Sequence, residues 1–147
     1  MLIGKTELCA LLPHQGAMCL LDGVLAWDTD TIVCVSHSHR DAIHPLRKHG
    51  RLAALHAFEY GAQAAAAHGV LTARAAGTVA RPAYLAALRD GRLYASYLDD
   101  IAGPLEITAR QQLREAASCI YEARVSAGGE PLATVKIIVI ASMNRHE

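Results

Sequence analysis

Apolar residues fill one long stretch near the middle of the chain, from Leu52 to Leu71, with helical spacing rather than strand alternation. The stretch is LAALHAFEYGAQAAAAHGVL, in which the polar residues His56, Glu59 and Gln63 recur at i, i+3 and i+7. These three side chains therefore lie on one side of the predicted helix. Because the rest of its surface is small and apolar, we expect other structure to enclose the helix.

Segments on both sides of this helix have the composition of strands. Cys19–Trp27 and Thr31–Ser38 are rich in strand-forming residues, and the short polar stretch between them is typical of a hairpin. A short helix is predicted over Thr6–Leu12, with Thr6 as its N-cap. After the long helix, four further strands are predicted, while Tyr84–Arg89 is ambiguous. The four are Arg92–Leu98, Leu105–Arg114, Ser118–Ala127 and Leu132–Ser142.

Short turn signals separate the later strands and favour an antiparallel meander over crossover helices. They fall at Asp90–Gly91, Gly103–Pro104 and Gly128–Gly129. Two strands, one long helix and about four more strands make an α+β layout in which the sheet wraps the helix. Small residues along the helix permit a close approach of the sheet. They are Ala53, Ala57, Gly61, Ala64 and Ala65.

Composition narrows the class of protein. The 147 residues fit a single domain, and 14 basic against 14 acidic residues give no overall field for binding nucleic acid. The long helix is too polar for a membrane span. Four cysteines without a CxxC pair, together with an N-terminus that lacks a signal peptide, indicate reduced thiols in a cytoplasmic protein.

Two motifs make the chain resemble a known family. The segment Leu11–Trp27, LLPHQGAMCLLDGVLAW, is similar to the opening of the bacterial 3-hydroxyacyl-[acyl-carrier-protein] dehydratases. The segment Phe58–Gln63, FEYGAQ, is similar to that family's Glu-x-x-Ala-Gln helix. The resemblance implies a hot-dog fold, in which a curved antiparallel sheet wraps one central helix. It covers the first half of the chain by motif and the later strands by pattern.

The loop before the helix departs from the usual family pattern. The common Gly-His-Phe-Pro-Gly motif is replaced by AIHPLRKHGRLAAL, in which His44 lies fifteen positions before Glu59. His44 is thus the best match to the family's catalytic histidine. HPL before GRL looks like the aryl-polyene-type branch of hot-dog dehydratases, and we place the chain nearest that branch.

Dehydration of a 3-hydroxyacyl thioester needs a base at C2 and an acid at the C3 hydroxyl. The resemblance implies His44 as base and Glu59 as proton donor, acting across a dimer interface. Gln63, one turn along, is expected to orient Glu59. Backbone N–H groups at the helix start, around Ala53 and Ala54, are expected to stabilise negative charge on the thioester oxygen.

Other interpretations of these residues remain open. Glu59 also fits a structural ion pair with an arginine from the sheet. His49 and His56 compete with His44, and His14 suits a hydrogen-bonding role in the turn before the first strand.

A polar region precedes the helix and has two further interpretations. His37 and His39, with a loop histidine, suggest zinc, but no cysteine or carboxylate has convincing ligand spacing, which favours a solvated loop. A basic cluster in the same region is either an exposed loop or a dock for a phosphopantetheine phosphate or an acidic carrier protein. Its members are Arg40, Arg47, Lys48 and Arg51.

Three functions follow from these patterns. The first is a dehydratase of acyl carrier protein or coenzyme A thioesters, working without a cofactor or metal. The second is a weakly active or inactive partner subunit for another hot-dog protein, and the third is a thioesterase whose helix carboxylate activates water. We expect a homodimer or higher even oligomer, or a heterodimer with another hot-dog chain.

Overall fold

A curved antiparallel sheet and one long helix make up most of the molecule. The computed structural model describes residues 1–12, 18–80 and 83–141. In chain order the elements within these ranges are β1 (Ile3–Gly4), α1 (Lys5–Leu11), β2 (Gly23–Trp27), β3 (Thr31–Ser36), α2 (Ala57–Ala75), β4 (Ala83–Leu93), β5 (Leu105–Arg114), β6 (Ser118–Ala127) and β7 (Glu130–Ala141). Single 3-10 turns cover Ser38–Arg40 and Ala54–His56.

The strands form one sheet in the order β1-β2-β3-β5-β6-β7-β4, and each neighbouring pair is antiparallel. The predicted hairpin pairs Trp27 with Ile32, and β3 joins it to the meander by pairing with β5. The predicted bounds of β5 and β6 are confirmed to the residue. An α+β hot-dog arrangement is therefore confirmed.

The expected turn at Asp90–Gly91 is wrong, because both residues lie inside β4. The register against β7 shifts between Arg89 and Arg92, and Asp90 takes a φ of 53° within this irregularity. A β-bulge accommodates such a residue without ending the strand. The strand predicted over Arg92–Leu98 consequently begins at Ala83 and ends at Leu93.

Both predicted helix starts also need correction. The long helix begins at Ala57 and ends at Ala75, not at Leu52 and Leu71, because Leu52 is in an extended segment and its carbonyl accepts the N–H of Leu98. An apolar pattern alone does not separate that segment from the helix. The short helix begins at Lys5 after Gly4, so Thr6 is not its N-cap.

The inner face of the sheet packs against the small residues of α2. A Cβ at Gly61 would lie 2.8 Å from the Cβ of Ala123 and 3.4 Å from Cδ1 of Ile137. Ala57 and Ala64 are fully buried on the same helix. Glycine and alanine thus set the distance between helix and sheet, as the sequence predicts.

The cysteines depart from the prediction of four reduced thiols. Cys9 of α1 and Cys19, in the segment before β2, are joined in a disulfide. Their side chains meet because α1 packs beside that segment. Cys34 and Cys119 are free thiols, and burial raises the pKa of Cys34 to about 12.

Among the described residues, every helix is too short or too polar to cross a membrane.

Two glycines of α2 offer a matched test of the close packing. We expect Gly61→Ala to lower the free energy of unfolding by about 1–2 kcal/mol, because overpacking costs about 1–3 kcal/mol and outweighs the helix propensity gained. Gly69→Ala, where nothing lies within 4 Å of the added Cβ, should raise it by about 0.5–1 kcal/mol. Urea unfolding measures both, and a gain at both positions would contradict the account.

Candidate active site

His44 is held in the loop before α2 and contacts the first turns of that helix. The residue is 5% exposed, and its Nε2 lies 3.0 Å from the hydroxyl of Tyr60. The backbone N–H of Leu46 donates to its Nδ1 at 3.1 Å. The structure therefore places His44 against the residue that follows Glu59. Both ring nitrogens are hydrogen bonded within the chain.

Glu59 lies in the first turn of α2 and is partly buried. The 3-10 turn Ala54–His56 leads directly into this helix, and the N–H of Ala57 donates to carbonyls of that turn. No ion pair between described residues includes Glu59, so the predicted pair with a sheet arginine has no counterpart there. The carboxyl group thus has no arginine beside it in the described part of the chain.

Gln63 does not have the partners predicted for it. It is 1% exposed, its Oε1 accepts the N–H of Leu20 at 2.9 Å, and its Nε2 donates to the carbonyl of Met18 at 2.6 Å. The amide therefore holds the segment before β2, instead of orienting Glu59. A correct prediction needed the fold, because the segment that Gln63 binds lies more than 40 residues away.

A buried set of hydroxyls connects the same segment to His44. Ser36 and Ser38 donate to the carbonyl of Leu20 at 2.6 and 2.8 Å, and Ser38 lies 2.7 Å from the hydroxyl of Tyr60. The sequence analysis did not single out these serines. Their i, i+2 spacing at the end of the predicted strand Thr31–Ser38 was the signal in the sequence, although β3 ends at Ser36 and Ser38 begins a 3-10 turn.

The predicted backbone donor at Ala54 is already occupied. Its N–H donates to the carbonyl of Ser96 at 2.9 Å, and Ala53 pairs with Tyr97 in an isolated bridge. The prediction is wrong because the helix begins three residues later, at Ala57. Ala54 therefore does not stabilise a thioester oxygen in this arrangement.

Arg47 is a structural residue of the loop, contrary to its predicted docking role. Its guanidinium donates to the carbonyls of Asp41 at 2.7 Å, Gly50 at 2.8 Å and His39 at 3.2 Å. The side chain is 14% exposed. Arg47 therefore ties together the backbone of the loop that holds His44.

Arg51 is likewise engaged. It donates to Asp99 and to Asp100, both at 2.8 Å, and lies over the ring of Tyr97. Asp99 also accepts the N–H of Leu52. Burial opposes ionisation of Asp99, but its hydrogen bonds with Leu52 and Arg51 prevail and lower its pKa. Lys48 is exposed, and its docking role stays a prediction.

The histidines of the suggested zinc site have separate partners. The backbone N–H of His37 donates to Asp22 at 2.6 Å, whereas His39 is fully buried with Nε2 3.0 Å from the carbonyl of Ile101. Within the described ranges no three His, Cys, Asp or Glu side chains come together as a metal site. His14 and Pro13 of the Leu-Pro-His segment lie outside those ranges.

A second buried histidine packs at the other end of α2. The Nδ1 of His68 lies 2.7 Å from the hydroxyl of Tyr121, and its Nε2 lies 2.9 Å from the carbonyl of Asp28. Both side chains are buried. His68 lies far along the helix from Glu59. This pair fastens the helix to the sheet.

The family model described as ApeP-like, ApeP dehydratase, matches residues 6–147. No curated protein sequence shows significant similarity to the chain. Among solved structures, the dehydratase heterocomplex ApeI:P from Xenorhabdus doucetiae is similar at 21% identity, with a TM-score of 0.82 over 92% of this chain and 90% of that one.

Two further solved structures share the fold. A putative thioesterase from Shewanella oneidensis has 13% identity and a TM-score of 0.65 over 93% of this chain and 96% of its own. AziG from S. sahachiroi has 18% identity and a TM-score of 0.61 over 89% and 97%. At these identities the likeness establishes the hot-dog fold.

The stability of the fold should fall as the solution becomes acidic. Burial, together with Arg47, lowers the pKa of His44 from its ordinary 6.5, and burial likewise lowers the pKa of His39. As the pH falls below the ordinary pKa of 6.5, the unfolded chain binds more protons than the folded chain, so acid favours unfolding. His44→Asn should therefore weaken the decline in the free energy of unfolding between about pH 7 and about pH 5. Equal slopes for wild type and variant in urea unfolding would contradict this origin.

Proposed function

The chain belongs to the ApeP-like dehydratase family, and on that basis we propose that it removes water from a 3-hydroxyacyl thioester to give a trans-2-enoyl thioester. His44 takes a proton from C2, and Glu59 gives a proton to the C3 hydroxyl, which leaves as water. Exchange with solvent then returns a proton to Glu59 and removes one from His44. The reaction is a lyase reaction of the hydro-lyase type.

The observation that carries the proposal is the placement of His44. Its imidazole is buried in the loop before α2, with Nε2 3.0 Å from the hydroxyl of Tyr60. Burial and Arg47 lower the pKa of His44, which keeps the imidazole neutral near pH 7. A base needs this neutral form. The site thus combines a neutral imidazole with a carboxyl group at a helix N-terminus.

The edge strand β4 supports pairing of two subunits around this site. It has a paired neighbour on one side, β7, and most of its residues are exposed. Four large apolar side chains of β4 are more exposed than the apolar side chains of the inner strands. They are Tyr84, Leu85, Leu88 and Leu93. Since an exposed apolar edge is prone to pair with another strand, we infer a homodimer or higher even oligomer that joins at β4. His44 of one subunit then serves the site of Glu59 of the other.

A partner-subunit role is the second candidate. One observation favours this role. Both ring nitrogens of His44 are already hydrogen bonded within the chain, one to the N–H of Leu46 and the other to Tyr60. The related ApeI:P assembly is named a heterocomplex, and in a mixed pair the second chain would supply the missing base. The hot-dog thioesterase interpretation is weaker, because water activation by Glu59 leaves the loop histidine without a task.

The proposed substrate is a thioester of acyl carrier protein or coenzyme A, met in the cytoplasm. Lys48 is exposed on the loop and is the basic residue available to contact a phosphate or an acidic carrier. Arg47 and Arg51 support the loop from within, through Asp41 and Asp99 among others. No cofactor enters the proposed chemistry.

Activity measurements on matched variants test this function. The purified protein should interconvert short 3-hydroxyacyl and enoyl thioesters, while Glu59→Gln and His44→Ala each lower kcat by about a hundredfold or more, as expected for loss of an acid or base. Glu106→Gln removes an exposed carboxylate on the sheet and should keep the wild-type rate. Circular dichroism checks that each variant is folded.

The three functions give different results in the same assay. Reversible hydration supports the dehydratase, and release of free thiol supports the thioesterase. An inactive but folded and paired protein supports the partner subunit and contradicts the main proposal.

A further inference from the structure

Tyr60 is a fully buried tyrosine whose hydroxyl lies between a loop residue and a residue of the 3-10 turn after β3. The hydroxyl is 3.0 Å from Nε2 of His44 and 2.7 Å from Oγ of Ser38. A phenylalanine would fill the same apolar space, whereas a buried hydroxyl is costly unless it is hydrogen bonded. The hydroxyl of Tyr60 therefore has a purpose beyond packing.

The direction of each hydrogen bond follows from its donors. Because Leu46 donates its N–H to Nδ1 of His44, that nitrogen carries a lone pair and the proton of the neutral ring is on Nε2. Nε2–H then donates to Tyr60, Tyr60 donates to Ser38, and Ser38 donates to the carbonyl of Leu20. A chain that ends on a carbonyl fixes groups in place and does not carry protons away.

We propose that Tyr60 is a positioning residue for His44, its hydroxyl accepting the Nε2–H and holding the imidazole in the direction in which Nδ1 takes the substrate proton. The inference rests on the proposed function of His44. Tyr60 does not touch the substrate in this scheme. The N–H of Leu46 sets the tautomer in the free chain, and Tyr60 keeps the ring and its Nε2 proton in place while the C2 proton moves to Nδ1.

Leu46 has a defined part in this arrangement. In the free chain its N–H covers Nδ1 at 3.1 Å. Once Nδ1 holds a proton, two donors face each other and this contact opens. For Nδ1 to act as the base, the N–H of Leu46 has to move away before the substrate proton reaches that nitrogen. Tyr60, Ser38 and Leu20 meanwhile keep the opposite side of the ring fixed.

Tyr121 is a matched control within the same molecule. It is also buried, and its hydroxyl also meets a buried histidine, His68, at 2.7 Å. Here the direction is reversed. His68 donates from Nε2 to the carbonyl of Asp28, so its Nδ1 accepts from Tyr121. Loss of the hydroxyl removes two hydrogen bonds at Tyr60 and two at Tyr121, yet only Tyr60 contacts His44.

The experiment compares Tyr60→Phe with Tyr121→Phe in the oligomer as isolated. Tyr60→Phe should lower kcat about tenfold to a hundredfold with KM nearly unchanged, within the contribution of general-base catalysis. Tyr121→Phe should change kcat by less than about threefold, since its histidine lies outside the proposed site. Nitrogen NMR should show a His44 Nε2–H that exchanges slowly with water in wild type and quickly in Tyr60→Phe, because the variant removes its hydrogen-bond acceptor.

Each outcome decides the proposal. Equally slow exchange of the His44 Nε2–H in wild type and Tyr60→Phe overturns the proposal, as does an equal loss of kcat in Tyr60→Phe and Tyr121→Phe. If Tyr60→Phe does not fold, Ser38→Ala removes the hydrogen-bond partner of the Tyr60 hydroxyl and should give the same loss of kcat and the same faster exchange. If wild type has no hydration activity, the proposed function fails, but the NMR comparison still decides whether Tyr60 holds His44.

Discussion

The hydrogen bonds that converge on the carbonyl and N–H of Leu20 hold the site together. Gln63 binds the N–H, and Ser36 and Ser38 bind the carbonyl, while Ser38 also contacts Tyr60, which in turn contacts His44. Buried polar groups are stable only when paired, so the helix, the end of β3 with the turn after it, and the loop cannot shift independently. The position of His44 against the first turns of α2 follows from this constraint.

A second set of contacts fixes the loop from outside. Asp99 accepts the N–H of Leu52 and pairs with Arg51, while Arg47 ties three loop carbonyls together. Charges that the sequence offers as a docking patch are thereby largely used within the chain. The loop that holds His44 is consequently supported on two sides. Lys48 remains exposed at the surface.

The fold was largely predictable because it depends on local patterns. Alternation located β5 and β6 to the residue, and the small residues around Gly61 indicated a close sheet. The start of α2 was missed because the extended segment at Leu52 is as apolar as the helix itself. A bulge at Asp90 was missed because a turn signal also fits an irregular strand.

The site was predictable only in its parts. His44 and Glu59 were found by resemblance, and the structure brings them to the same end of α2. The partners of Gln63 and Arg51 lie more than 40 residues away along the chain, so spacing carries no signal for them. The hydrogen-bond partners of the Tyr60 hydroxyl become visible only in the folded chain.

The central claim is that the loop histidine and the helix carboxylate form one shared site between two subunits. Mixing folded His44→Ala and Glu59→Gln subunits tests it most directly, since each mixed dimer would contain one intact site. Random exchange predicts recovery of about a quarter of the wild-type hydration rate from two inactive proteins. A mixture that stays inactive, although mass spectrometry shows mixed dimers, would contradict the claim.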